Sequence, residues 1–265
     1  MRILLTNDDG IEALGIRTLA EALLPLQDLE IYVVAPSEER SGVGHGVTFR
    51  EALAPTPHDF YGLPVKAWSV NGNPADCVKA AYYLLFKDQE RPDLVLSGIN
   101  VGANLGKDVY YSGTCSAARE AVILGIPAVA LSYDNYHNQA SFGEVGSIIG
   151  PLLQQFMEQT KQKQMPEKVF WNVNVPDLPE NQVKGITPAV LAFDFYNDVY
   201  SPAETGYFLG REYPDQWDTQ GEQEDFRLLK SGYMTVTPVH IDSTDRKLLE
   251  QMKEWPLLKN KPRGE

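Results

Sequence analysis

An α/β fold with a mostly parallel sheet is what this 265-residue sequence predicts, and three observations predict it. Short apolar runs alternate with amphipathic stretches through most of the chain. Prolines stand where those amphipathic stretches should stop or start. Loops rich in Asp, Asn, Ser and Gly follow several of the apolar runs. Strands separated by helices imply βαβ units, because parallel neighbours need a crossover, and the helices then cover the sheet as a three-layer sandwich.

Taken in order, Ile3 to Asn7 is the first strand and Leu14 to Leu24 the first helix, stopped by Pro25. Ile31 to Val34 and Val65 to Val70 are the next strands. A helical pattern runs from Pro74 to Phe86, with proline at a first-turn position where its missing N–H costs nothing. Strands at Asp93 to Ser97, Pro127 to Ser132 and Val169 to Asn174 alternate with helices at Thr114 to Leu124 and Phe142 to Gln159. This is the layout of a Rossmann-like core over residues 1–189. Beyond it the texture changes: residues 190–230 are rich in Tyr, Phe, Asp, Glu and Gly without a helical period, and read as an extended arm or hairpin. Gly232 to Pro238 is a strand, and Ser243 to Met252 a short helix opened by Ser243 or Thr244. The last ten residues read as a frayed polar tail. Residues 190–265 thus form an arm, strand and helix suited to oligomerisation.

Composition narrows the function. A formal net charge of −13 repels polyanions, which disfavours nonspecific nucleic-acid binding, so no nucleic-acid partner is expected. A phosphate-bearing substrate would then need local positive charge, for which a divalent cation is the obvious source. No apolar run approaches the roughly 20 residues that span a bilayer, and the start lacks a signal-peptide layout, so no membrane partner and a cytoplasmic location are expected. Two cysteines, Cys77 and Cys115, with no CxxC spacing suggest small buried residues rather than a disulfide or zinc site.

Three loops carry candidate chemistry, and each begins where a parallel strand ends. Ligands of open α/β sheets bind outside those ends, so the loops should meet in one crevice. The first is Asn7-Asp8-Asp9-Gly10. Its paired carboxylates suit a hard cation and Gly10 permits a tight turn, though a solvated turn or helix cap reads equally from these residues alone. The second runs from Ala35 to Gly46. Its glycines free N–H groups for an anion, Ser41 offers a hydroxyl, and His45, with an ordinary pKa of about 6.5, offers a proton; a plain surface loop is the alternative. The third, Ser97 to Gly106, is followed by Tyr111-Ser112-Gly113-Thr114. Asn100 offers a neutral oxygen or is a turn residue. Ser112 and Thr114 stand at a helix N-terminus, where they either receive phosphate or cap the helix. Asp76, in the first turn of another helix, is read as a helix-dipole partner, and His58, His137 and His240 as isolated histidines.

Together these segments resemble the SurE (survival protein E) family. The resemblance is carried by Asn7-Asp8-Asp9-Gly10, Ala35-Pro36, Arg40-Ser41-Gly42, Pro74-Ala75-Asp76-Cys77, Arg91 to Asn100, Tyr111-Ser112-Gly113-Thr114, Thr235-Val236-Thr237-Pro238 and Thr244-Asp245. It implies one divalent cation, Mg²⁺ or Mn²⁺, on Asp8, Asp9, Ser41 and Asn100. It also implies 5′/3′-nucleotidase activity on nucleoside monophosphates, broader phosphomonoesterase and sometimes exopolyphosphatase activity. Homodimers or homotetramers with an exchanged C-terminal arm are implied as well. The chain departs at Gly46, where the family commonly has serine, at Asn73, where threonine is frequent, and at Tyr207-Phe208-Leu209-Gly210 in the arm.

The mechanism expected is metal-assisted hydrolysis. Such a cation would supply Lewis acidity to a phosphate oxygen and to a water, and Asp9 or Asp8 would accept the water's proton. Loop N–H groups, Ser112 and Thr114 hold the equatorial oxygens, and His45 assists the leaving oxygen. Two rival readings are an aspartyl-phosphate route through Asp8, against which the adjacent carboxylates argue, and a noncatalytic nucleotide-binding module. A dinucleotide cofactor is not expected, because no G-x-G-x-x-G follows a strand.

Overall fold

A computed structural model describes residues 1–87, 91–136, 142–213 and 223–255. Among these, nine strands form one sheet: β1 (Arg2–Thr6), β2 (Glu30–Pro36), β3 (Thr56–His58), β4 (Lys66–Val70), β5 (Leu94–Val101), β6 (Ala128–Tyr133), β7 (Val169–Val175), β8 (Ile186–Pro188) and β11 (Met234–His240). The last label follows a separate hairpin, β9 (Asn197–Pro202) and β10 (Tyr207–Glu212). The helices are α1 (Leu14–Leu23), α2 (Pro74–Ala80), α3 (Gly113–Ile123), α4 (Phe142–Lys161), α5 (Asp225–Lys230) and α6 (Arg246–Met252).

Six parallel strands lie in the order β4-β2-β1-β5-β6-β7, the doubly wound order whose direction reverses between β1 and β5. Antiparallel β3 closes one edge; antiparallel β11, followed by β8, closes the other. The central strands are buried on both faces, so they read as continuous apolar runs rather than alternating ones. Their alternate side chains still divide the core. Ile3, Leu5, Val33 and Leu96 pack with Ile16, Leu19, Phe142 and Ile149 from α1 and α4. Leu4, Val34, Val95 and Ala130 pack with Cys77, Val78, Cys115 and Ala118 from α2 and α3 on the opposite face. Three layers result.

Several expectations are refined. The helix read through Phe86 ends as a π-turn over Ala81–Leu85, where the Phe86 N–H donates to the Ala81 carbonyl at 2.9 Å. The strand read from Gly232 to Pro238 is β11, which joins the main sheet against β7. Within residues 190–230 the hairpin β9–β10 takes the extended form expected, but α5 is a helix that the composition did not signal. Asp245, not Ser243 or Thr244, opens α6, its carboxylate accepting from the Leu248 N–H at 2.8 Å. The C-terminal ten residues and His137 lie outside the described residues. No helix among those described is long and apolar enough to cross a membrane.

Candidate functional site

The loops after β1, β2 and β5 meet around the point where the strand order reverses. Backbone and side-chain hydrogen bonds tie the first loop to the other two. The Asn7 amide closes the first loop on the Gly10 carbonyl at 2.7 Å, and Gly10 turns with φ +100°. The Arg40 N–H donates to the Asp8 carbonyl at 2.7 Å, and the Ile11 N–H to that of Pro36 at 2.8 Å, which joins the first loop to the second. The Val101 N–H donates to Asp9 Oδ2 at 3.2 Å, which joins the first to the end of β5. Between them opens a crevice of about 640 Å³, lined among others by Asp9, Glu38, Glu39, Ser41, Val101 and Tyr136.

Asp8 and Asp9 carry the electrostatic load. Asp8 is buried, and burial raises its carboxyl above the ordinary range despite hydrogen bonds from the Thr114 hydroxyl and from the backbone at Thr114, Asp8 and Gly113. Burial likewise lifts Asp9 to about 7; the neighbouring Asp8 charge adds to it, the Val101 N–H opposes it, and Glu39 adds a little more. Neither carboxylate is ion-paired with a lysine or arginine among the described residues. Asn7 Oδ1, beside the pair in sequence, is buried without a hydrogen-bond partner. Two crowded carboxyls held above their ordinary range form a place a cation would relieve. Asn100 spends its amide nitrogen on the Val101 and Gly102 carbonyls at 3.2 and 2.7 Å, so its amide oxygen is the atom turned the other way. Ser41 is exposed on the crevice wall, and its hydroxyl donates to Glu39 at 2.7 Å. No three of His, Cys, Asp and Glu group as a metal site among the described residues. The set available here is instead two carboxylates, an amide and a hydroxyl, all hard oxygens, and this donor chemistry fits Mg²⁺ or Mn²⁺.

The N-terminus of α3 abuts the pair from below. Ser112 caps it, its oxygen accepting from the Cys115 N–H at 3.1 Å. Gly113 comes so close that an added Cβ would lie 2.7 Å from the Asp8 Cβ. Thr114 is fully buried and its hydroxyl donates to Asp8 Oδ1. Thr114 therefore spends its hydroxyl on Asp8 in this structure.

His45 stands on the α2–α3 side, its Nε2 2.9 Å from Glu120 Oε2; Lys79 Nζ lies 2.7 Å from the other oxygen. Burial pushes the Glu120 carboxyl up, but the hydrogen bonds from His45 and Lys79 outweigh it and the net direction is down. The sequence did not single out Glu120 or Lys79. The available signal was one acidic residue on a face otherwise made of Ala117, Ala118 and Ala121. Asp76 is structural, as read: it accepts from the Asn73 N–H at 2.9 Å and anchors the second loop through the Thr48 N–H and hydroxyl at 2.9 and 2.7 Å. A Cβ on Gly46 would lie 3.1 Å from Asn73 Nδ2, so the two positions are neighbours. Both cysteines are buried and free, and burial pushes the Cys115 thiol up to about 12, where it is inert.

A doubly wound sheet with an acidic crevice at its reversal point defines a Rossmann-like protein that receives a ligand at the carboxyl ends of β1, β2 and β5. Within that class the chain belongs to the SurE family: the family model described as Survival protein SurE matches residues 3–198. A 5′-nucleotidase SurE of Brevibacillus brevis is 60% identical over 259 residues, covering 98% of this chain and 97% of that one. One of Heliobacterium modesticaldum is 39% identical, covering 96% and 92%. The crystal structure of the SurE protein from Aquifex aeolicus superposes with a TM-score of 0.80 at 34% identity, covering 96% of this chain and 98% of that one.

Proposed function

We propose that the chain is a metal-dependent phosphomonoesterase that hydrolyses nucleoside 5′- and 3′-monophosphates, with short polyphosphate as a further substrate. The observation that carries this reading is the pair of buried Asp8 and partly buried Asp9, without a lysine or arginine partner among the described residues, at the reversal point of the sheet. The name 5′-nucleotidase borne by its relatives supports it. Asp8, Asp9, Asn100 and, after leaving Glu39, Ser41 would hold one Mg²⁺ or Mn²⁺. When bound, such an ion supplies Lewis acidity to a phosphoryl oxygen and offsets the paired negative charge.

The chain's own groups do the rest. Asp9, on the crevice wall, takes the proton of the attacking water. Ser112 accepts from the Cys115 N–H, and its O–H would turn to donate to a phosphate oxygen. Glu120 holds the His45 ring through Nε2, which leaves Nδ1 for the leaving oxygen. The hairpin β9–β10 exposes Tyr200, Tyr207, Phe208 and Leu209, which suits an arm used between subunits of a homodimer or homotetramer. A cytoplasmic location belongs to the same reading.

The test is phosphate release from a panel of nucleoside monophosphates and short polyphosphate, with each metal and with chelator. Activity should vanish on chelation and return with Mg²⁺ or Mn²⁺. Asp8→Asn should cut turnover by on the order of 10²-fold, as removal of one charge-stabilising group does. Full hydrolysis by metal-free protein, or near-normal turnover of that variant at saturating metal, would overturn the reading. A protein that only binds nucleotides would release no phosphate at all.

A further inference from the structure

The loop between β5 and α3 is held from outside by the C-terminal third of the chain. Asp225, fully buried at the start of α5, accepts from the Gly106 N–H at 2.9 Å through one oxygen. Its other oxygen accepts from the Ala192 and Phe226 N–H groups at 3.0 and 2.8 Å. Gly106 has φ +50°, and a Cβ there would fall 1.4 Å from the Ala192 carbonyl oxygen, so the two segments meet backbone to backbone. Two residues on, the buried Asp108 carboxylate accepts from the Tyr196 hydroxyl at 2.6 Å and from the Arg211 guanidinium, on β10, at 3.0 Å. Lys107 reaches the Tyr196 carbonyl at 3.0 Å. A separate apolar cluster, including Leu105, Ala192, Phe195 and Phe226, seals the junction.

The same Asp108 faces the site through its main chain. Its carbonyl accepts from the Tyr111 and Ser112 N–H groups, both at 2.9 Å. Ser112 then caps α3, and the Gly113 and Thr114 groups at its start hold Asp8. Hydrogen bonds joined by short stretches of main chain at Asp108 and Ser112 therefore link β10 to the first carboxylate of the site.

We propose that Tyr196 and Arg211, assisted by Asp225, are positioning residues for the candidate active site: they fix Asp108 and Gly106, and through them the α3 N-terminus that holds Asp8. The proposal rests on the phosphatase reading for its kinetic consequence only. Its physical content is that loosening Asp108 loosens the Ser112 cap.

The test compares Tyr196→Phe, Arg211→Met and Arg211→Lys with the unaltered full chain, by amide hydrogen exchange and by steady-state kinetics on a nucleoside monophosphate. Each loss removes a hydrogen bond to a buried carboxylate, so the amides of Tyr111, Ser112 and Cys115 should exchange on the order of tenfold faster. Amides of the central strands should stay unchanged. Turnover should fall by a similar factor with KM little altered, the pattern of an interaction used in the transition state. Arg211→Lys should recover most of both. Tyr196→Phe deletes a single hydroxyl and keeps the test usable if Arg211→Met fails to fold. Unchanged exchange at those three amides, or faster exchange with unchanged turnover in a protein that does release phosphate, overturns the proposal. If the unaltered chain releases no phosphate while the variants still exchange faster there, the positioning stands and the phosphatase reading falls.

Discussion

At the scale of single residues, the burial of Asp8 decides most of what surrounds it. A carboxylate withdrawn from water needs donors, and the structure supplies one hydroxyl and the backbone at Gly113 and Thr114. The Thr114 hydroxyl is the one donor that a mutation can delete without disturbing the main chain. Valine matches threonine in shape, so Thr114→Val should isolate that bond. Loss of a hydrogen bond to a buried carboxyl group typically costs about 1–3 kcal/mol, which urea unfolding will register. With Asp8 less firmly oriented, turnover should fall by about tenfold, the kinetic equivalent of about 1.4 kcal/mol, while KM moves little. Thr114→Ser keeps the donor and should stay close to the unaltered protein. If Thr114→Val loses stability and keeps full turnover, orientation of Asp8 is not what the hydroxyl provides.

Elements set where those residues stand, and the packing of α1 on the sheet shows how tightly. Gly15 lies in the first turn of α1, where a Cβ would fall 1.8 Å from the Ile99 carbonyl oxygen of β5, one residue before Asn100. Alanine ordinarily gains up to about 1 kcal/mol over glycine in a helix, but here it would push α1 off the strand. Gly146, where α4 crosses α1, is the opposite case: its Cβ would meet Ala22 and Thr18 at 3.5 and 3.7 Å, ordinary contact distances. Gly15→Ala should therefore lower the melting temperature and turnover together, and Gly146→Ala should raise the melting temperature and leave turnover alone. Equal shifts of one sign in both would refute the packing argument. Elements of this kind were legible in the sequence because their signals are local and repeated: short apolar runs, prolines at helix starts and stops, acidic or glycine-rich loops at strand ends. The strands β3 and β8 were not, since each has three residues, mostly outside the core, and contains a proline. Nor was α5, whose six residues make less than two turns and show no period. At the site, the paired carboxylates and the three loops could be read in order along the chain. Their partners could not: Thr114 lies 106 residues from Asp8, and Glu120 lies 75 from His45, and no spacing rule connects them before the sheet is wound.

Over the whole molecule, the C-terminal segment is joined to the core through a buried acid, and pH should therefore act on the junction. Burial raises the Asp225 carboxyl to about 6, although the Gly106, Ala192 and Phe226 N–H groups oppose the rise. In the unfolded chain the same group titrates near 3.8. The folded form thus keeps a proton that the unfolded form has lost between these values. Its contribution to stability is fully present below about 3.8 and is lost as the pH rises through about 6. Asp225→Asn cannot titrate, and its amide nitrogen would face a backbone donor that Asp225 now satisfies, so it should be less stable than the unaltered chain at every pH. The deficit, however, should be larger at low pH, where the unaltered chain holds its extra proton, and smaller at neutral pH, where that advantage has gone. Urea unfolding of both proteins at about pH 4.5 and at about pH 7 measures the two deficits directly. A deficit that grows toward neutral pH would mean that the fold holds the Asp225 carboxyl below its ordinary range and that the three N–H groups, rather than burial, govern the junction.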